Sequence, residues 1–238
     1  MCACLAPRPS EESRGALSQG LCSLAEGLLS ESASCEEVSG ECRQLLDRAA
    51  ALAPHSPEPL QALAALRALM GFPEEALALL RQSLARWLPS EAAADQGDAR
   101  LADAALPQPL SPFAEPPGFA FRFETAKLLL ELDDSTATAV RVLEELLEER
   151  DDEFELWFLL ALAHHGACAF ARATQCLDQA EELLGARPDE EKRTEMLHEL
   201  QSLRAAVQTS AAAWKEDGGC EEPDEAEEEE EADEEEWT

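Results

Sequence analysis

The chain contains no tyrosine, and aromatic residues make up only 5% of its 238 positions. β-branched residues are scarce as well, whereas Leu and Ala dominate. Sheets are built mostly from the missing types, so the composition excludes an extensive sheet and favours helix. Cations are in deficit too: 18 Lys and Arg stand against 51 Asp and Glu, a formal net charge of −33. Holding a phosphate backbone or an anionic bilayer surface requires clustered Lys and Arg, so neither nucleic acid nor membrane is an expected partner. A basic protein is the natural complement.

Long apolar runs are absent. The longest, Leu156 to Ala163, is far short of the roughly 20 residues that span a bilayer and suits a buried helix face. The opening "MCACLAPRPSEESRG" lacks the apolar stretch of a secretory signal, so a soluble chain of the cytoplasm and nucleus is expected. Its eight cysteines would then remain reduced. None falls in a C-x-x-C pair, which removes support for a zinc ribbon or a thioredoxin-like motif. Phosphate-loop, dinucleotide and nucleophile-elbow motifs are missing as well, and His55, His164, His165 and His198 are scattered. The expectation is a non-enzyme with no catalytic residue, no metal and no cofactor. The stretch "FELWFLLALAHHGACAFARATQCLDQA" is the strongest challenge to that view. A metal there would need ligands converging from two helices, and Cys176 is expected to face away from Ala173 by helical phase; the residues read as packing.

What is present is a period. Counting Phe154 as the first place of a unit, Trp157 is fourth, Leu160 seventh, Ala161 eighth, Ala173 twentieth, Leu177 twenty-fourth and Ala180 twenty-seventh. Units starting at Ala120 and Pro57 repeat small or apolar residues at these places, and a weaker unit starts at Ser23. Small residues at the eighth, twentieth and twenty-seventh places let two antiparallel helices approach closely, while large apolar residues fill the layer between. A period of 34 residues resembles the tetratricopeptide repeat. Lys127 and Leu146 depart from the small-residue rule, which predicts looser or rearranged contacts there.

The expected class is all-α: a tetratricopeptide superhelix of about four hairpins, a C-terminal capping helix and a disordered acidic tail. The expected boundaries are a disordered N-terminus over 1–18, two repeats over 19–90, a Pro-rich insert over 91–119, two repeats over 120–187, a capping helix over 188–214 and the tail over 215–238. Five prolines in "LPQPLSPFAEPPG" forbid regular helix, and the insert is either functional or a tolerated insertion. The tail either steers a basic partner or only solubilises the chain.

The stretches "SPEPLQALAALR", "ALLRQSLARWLP", "FRFETAKLLLEL" and "AVRVLEELLEERDDEFELWFLLALAHHGACAFARA" resemble the tetratricopeptide family of dedicated assembly chaperones for ribosomal large-subunit protein four. The resemblance implies a carrier that sequesters this newly made basic protein, covers its long internal loop and escorts it to nuclear preribosomes, reaching the import machinery only through the client. In such superhelices the first helix of each unit lines the concave groove at its second, fifth, ninth and twelfth places. Those places include Glu31, Glu58, Gln61, Phe121, Glu124, Glu131, Glu155 and Phe158. Acids interleaved with aromatics suit a Lys/Arg-rich segment; alternatively, Phe121 and Phe158 are inter-repeat core and the glutamates are merely solvated. A capped array of high negative charge is expected to be a monomer. Rival readings are a generic tetratricopeptide scaffold and a histone-binding acidic chaperone. A co-chaperone that clamps terminal carboxylates would need Lys and Asn where Gln61 and Ala65, or Glu124 and Leu128, stand.

Overall fold

The computed structural model describes residues 10–31, 35–88, 116–132, 136–185 and 190–216. Most of the Pro-rich insert and nearly all of the acidic tail therefore lie outside the described residues. Among these, there are nine α-helices and no strand: α1 Glu11–Glu31, α2 Cys35–Leu52, α3 Glu58–Leu69, α4 Pro73–Leu84, α5 Phe119–Glu131, α6 Thr136–Leu147, α7 Phe154–Gly166, α8 Phe170–Gly185 and α9 Glu190–Glu216. No helix among the described residues is long and apolar enough to cross a membrane. Two compact units are formed, Met1–Val142 and Leu143–Thr238. The division falls inside α6, not at the insert.

The α3–α4 hairpin shows how local sequence sets the repeat. Pro59 lies in the first turn of α3, and Glu58 and Arg67 complement the two ends of its dipole. Gly71 adopts φ +79°, its N–H donating to Ala68 O while the Phe72 N–H donates to Arg67 O, each at 2.9 Å. That is the paired end-cap that a left-handed residue allows. Pro73 then starts α4. Ala64 and Ala76, at the eighth and twentieth places, are fully buried in a cluster with Leu77, Leu80, Leu128 and Leu129. Ser83 Oγ, at the twenty-seventh place, donates to Pro57 O at the first (2.9 Å).

The first hairpin corrects the expected register. Ser18 is buried, and its Oγ donates to Ala49 O at 3.0 Å; Cys42 Sγ donates to Ala25 O at 3.5 Å. By analogy with the bond between Ser83 and Pro57, Ser18 holds the first place and Ala25 the eighth. The first unit thus starts five residues before Ser23, because α1 and α2 run further into their turn than α3 and α4 do. Nor does disorder extend to residue 18. Ser10 caps α1, its Oγ accepting from the Ser13 N–H at 3.2 Å, with Glu11 and Glu12 in the first turn.

A smaller shift explains Lys127. Four residues separate α5 from α6, against three between α3 and α4 or between α7 and α8. The small residue buried on α5 is accordingly Ala126, while Lys127 remains partly exposed. Leu146 is fully buried without any such release.

In the second unit, Trp157 Nε1 donates to Asp151 O at 2.8 Å, tying α7 to the acidic turn before it. Cys168 takes the place of Gly71, with φ 60° and the same cap: its N–H donates to His165 O, and that of Ala169 to His164 O. Ala173 and Cys176 are both buried on one face of α8, correcting the expectation that they point apart. Helix α9 covers this hairpin through Leu200, Leu203 and Val207, all buried. Arg204 fixes it further, donating to Asp178 at 2.7 Å and Glu181 at 2.8 Å.

Candidate functional site

In the first unit, α1, α3 and α5 line a groove of about 1200 Å³. From α1 come Gln19, Cys22, Ser23 and Glu26; from α3 come Glu58, Gln61, Leu69 and a floor of Ala62, Ala65 and Ala68. Helix α5 supplies Phe121, Glu124, Lys127, Leu128 and Glu131, and its C-cap supplies Leu132. The charged groups along this groove are four glutamates and one lysine, so it is electronegative.

Glu26 senses its neighbours. The Glu26 carboxyl is held above its ordinary range by desolvation, and further by Glu58 and Glu124. Burial pushes the Cys22 thiol up to about 11, helped by Glu58 and Glu26, so this cysteine is a packed neutral group and a poor nucleophile. Lys127 relieves part of the repulsion: Nζ lies 3.0 Å from Glu124 Oε1 and 5.7 Å from the centre of the Phe123 ring. Gln19 Nε2 donates to Glu58 Oε1 at 3.3 Å.

Beneath the acids, a polar link fixes the wall. Gln61 Nε2 donates to Phe121 O at 3.2 Å, and Thr125 Oγ1 donates to Gln61 Oε1 at 2.6 Å. Phe121 is half-buried and meets Trp87 edge-on, ring centres 6.2 Å apart. It therefore serves both the packing between helices and the groove lining.

Of the eight residues expected to line a groove, the structure brings five together here: Glu58, Gln61, Phe121, Glu124 and Glu131. Glu155 and Phe158 lie in the second unit on α7, half-buried, with Phe158 stacked on Phe154 at 5.7 Å. Glu31 ends α1 and its side chain lies outside the described residues. Sequence reasoning missed Gln19, Cys22, Ser23 and Glu26. With Ser18 at the first place, Gln19, Cys22 and Glu26 hold the second, fifth and ninth, five residues before the expected register. The signal was the Ser10 cap, which starts α1 well ahead of Ser23.

The histidine–cysteine stretch of the second unit has a different character. His164 is buried, and desolvation, then Arg172, hold its imidazole below the ordinary range. Burial, then Glu144, push the Cys176 thiol up to about 11. Among the described residues, no group of three His, Cys, Asp or Glu is placed to hold a metal ion.

Comparison with known proteins follows the geometry. Over 126 residues, 52% of this chain, the sequence is 31% identical to the Emericella nidulans protein named "Probable assembly chaperone of rpl4". The solved structure of the assembly chaperone of RpL4 (Acl4), residues 1–338, superposes with a TM-score of 0.52 and 26% identity over 71% of the chain. The chain resembles Acl4. Its fold is that of a tetratricopeptide-type helical repeat protein. MamA, residues 41 to the end, from Desulfovibrio magneticus RS-1 superposes at a TM-score of 0.49 with 16% identity, covering 85% of this chain and 94% of its own. No family model matches. The Acl4-like region spans 27% of the curated relative's length and 55% of the solved chain.

Proposed function

We propose that this protein is a dedicated, non-catalytic chaperone that holds a newly made basic ribosomal protein, of the L4 kind, in the α1–α3–α5 groove. The observation that carries the proposal is the groove itself: Glu26, Glu58, Glu124 and Glu131 face a single lysine over an alanine floor, in a chain similar to a named assembly chaperone of rpl4. Raising a carboxyl's pKa by crowding it with like charges stores repulsion that an incoming Lys or Arg relieves. Single exposed ion pairs contribute only about 0–1 kcal/mol, so affinity has to be distributed along the groove and supplemented by apolar contact.

Such a carrier would act as a monomer in the cytoplasm and nucleus, using its negative charge to keep RNA from the client's basic surface and reaching import factors through that client. Co-expression with L4, followed by capture at moderate salt, tests the proposal. The expected result is a stoichiometric complex with L4 and no comparable complex with core histones. Preferential capture of histones would favour the histone-chaperone reading, and capture of neither would leave a generic scaffold.

A further inference from the structure

The groove is not uniform along its length. At one end, Glu26, Glu58 and Glu124 line the groove together, with Glu58 and Glu124 close enough to act on Glu26. At the other, Ala68, Leu69 and Leu132 make the lining apolar, with Leu69 66% exposed and without a cover. Helix α3 runs from one end to the other. The 11 steps from Glu58 to Leu69 correspond to about 16 Å at 1.5 Å per residue. Beside the acidic end, the chain supplies its own example of the ligand chemistry: the Lys127 ammonium rests on the Glu124 carboxylate and over the Phe123 ring. Glu131, exposed and adjacent to Leu132, holds the place on α5 that Ala68 holds on α3 and sets one carboxylate beside the apolar end.

We infer that the groove reads a bipartite segment: a Lys or Arg seated among Glu26, Glu58 and Glu124, and an apolar side chain about 16 Å along, on Ala68 between Leu69 and Leu132. The inference rests on the chaperone reading of this groove and adds the pattern that the client must carry. An extended chain covers that distance in about five residues at 3.3 Å each. The alanine floor leaves room for a large aliphatic side chain, and a second cation would find there only the exposed Glu131 carboxylate. A uniformly basic peptide would therefore leave the apolar surface of Ala68, Leu69 and Leu132 wet.

Two fluorescein-labelled glycine–serine peptides of identical composition provide the test: one with a lysine pair and a leucine pair about five residues apart, the other with the pairs adjacent. Fluorescence anisotropy should show the spaced peptide binding the full chain roughly three- to tenfold tighter, as expected for one partly buried leucine. Ala68→Glu should abolish the preference, whereas Glu58→Gln should weaken both peptides alike; circular dichroism confirms that both variants fold. Equal affinity of the wild-type chain for the two peptides overturns the inference, without recourse to any variant. So does a preference that survives Ala68→Glu. The outcome is separable from the chaperone reading, since L4 could be captured without spacing selectivity, and spacing selectivity could exist without L4 capture.

Discussion

The α1–α3–α5 face and the equivalent face of α7 occupy the same places in the repeat, yet differ in chemistry. At the second, fifth and ninth places, α3 presents Glu58, Gln61 and Ala65, whereas α7 presents Glu155, Phe158 and Leu162. Leu162 is 39% exposed, and Phe158 stacks on its neighbour Phe154. The eighth and twentieth places, by contrast, are small in both hairpins: Ala64 with Ala76 and Ala161 with Ala173, all fully buried. Packing fixes where the helices lie. It leaves the fifth and ninth places free to differ, polar and small on α3 but large and apolar on α7.

The sharpest way to separate the two regions is to damage one. Leu200 of α9 is fully buried against the second unit, and Leu200→Ala should cost about 2–4 kcal/mol there. Urea unfolding followed by Trp157 and Trp214 fluorescence should move to lower denaturant, while the basic-peptide affinity of the first unit stays within twofold. Loss of peptide binding in step with the transition would show that the two units act as one.

A second comparison exchanges chemistry without touching packing. Replacing Glu26, Glu58 and Glu124 together by Gln should weaken a basic client about 10- to 100-fold, since each pair contributes at most about 1 kcal/mol. Glu155→Gln on α7 should change the affinity by less than about twofold. Isothermal titration at two salt concentrations checks both, and the triple variant should lose most of the salt dependence.

Legibility followed the same division between packing and chemistry. The repeats starting at Pro57 and Phe154 were readable in register because Pro57, Gly71, Pro73 and Trp157 mark their starts and turns. The first hairpin was not, since α1 and α2 are longer than their counterparts and a fixed 34-residue step carries the count five residues too far. That slip moved the expected ninth place from Glu26 to Glu31. A single extra residue before α6 likewise set Lys127 where Ala126 belongs. Electronegativity at the site was legible from composition. The convergence of Glu26, Glu58 and Glu124 was not, because it depends on three helices meeting.

The two end-caps offer a smaller, matched pair. Gly71 and Cys168 hold the same place with φ +79° and 60°, and a side chain there is strained by about 1–2 kcal/mol. Nothing lies within 4 Å of a Cβ built on Gly71, so Gly71→Ala should destabilise through the backbone alone, by about 1 kcal/mol. Cys168→Gly should stabilise the second unit by somewhat less, because the unfolded chain gains freedom. Denaturant midpoints of the two variants should therefore move in opposite directions.

The smallest effect is the most diagnostic of the groove. Glu26 has a folded-state pKa above its unfolded value, through desolvation and then Glu58 and Glu124. Its protonation therefore adds stability that is fully present below the unfolded carboxyl range, near about 4.3, and is lost as pH rises through the folded value. Glu26→Gln should accordingly stabilise the free protein at neutral pH by a few tenths of a kcal/mol and have no effect in acid. A bound cation reverses the sign. It favours the ionised carboxylate, so binding releases a proton and tightens as pH rises through the Glu26 range. In the Gln variant that slope should flatten while the affinity at neutral pH falls. A variant more stable at neutral pH yet unchanged in affinity would mean that the crowded carboxylates meet no client cation, leaving the charge of this groove no different in role from that of any solvated face.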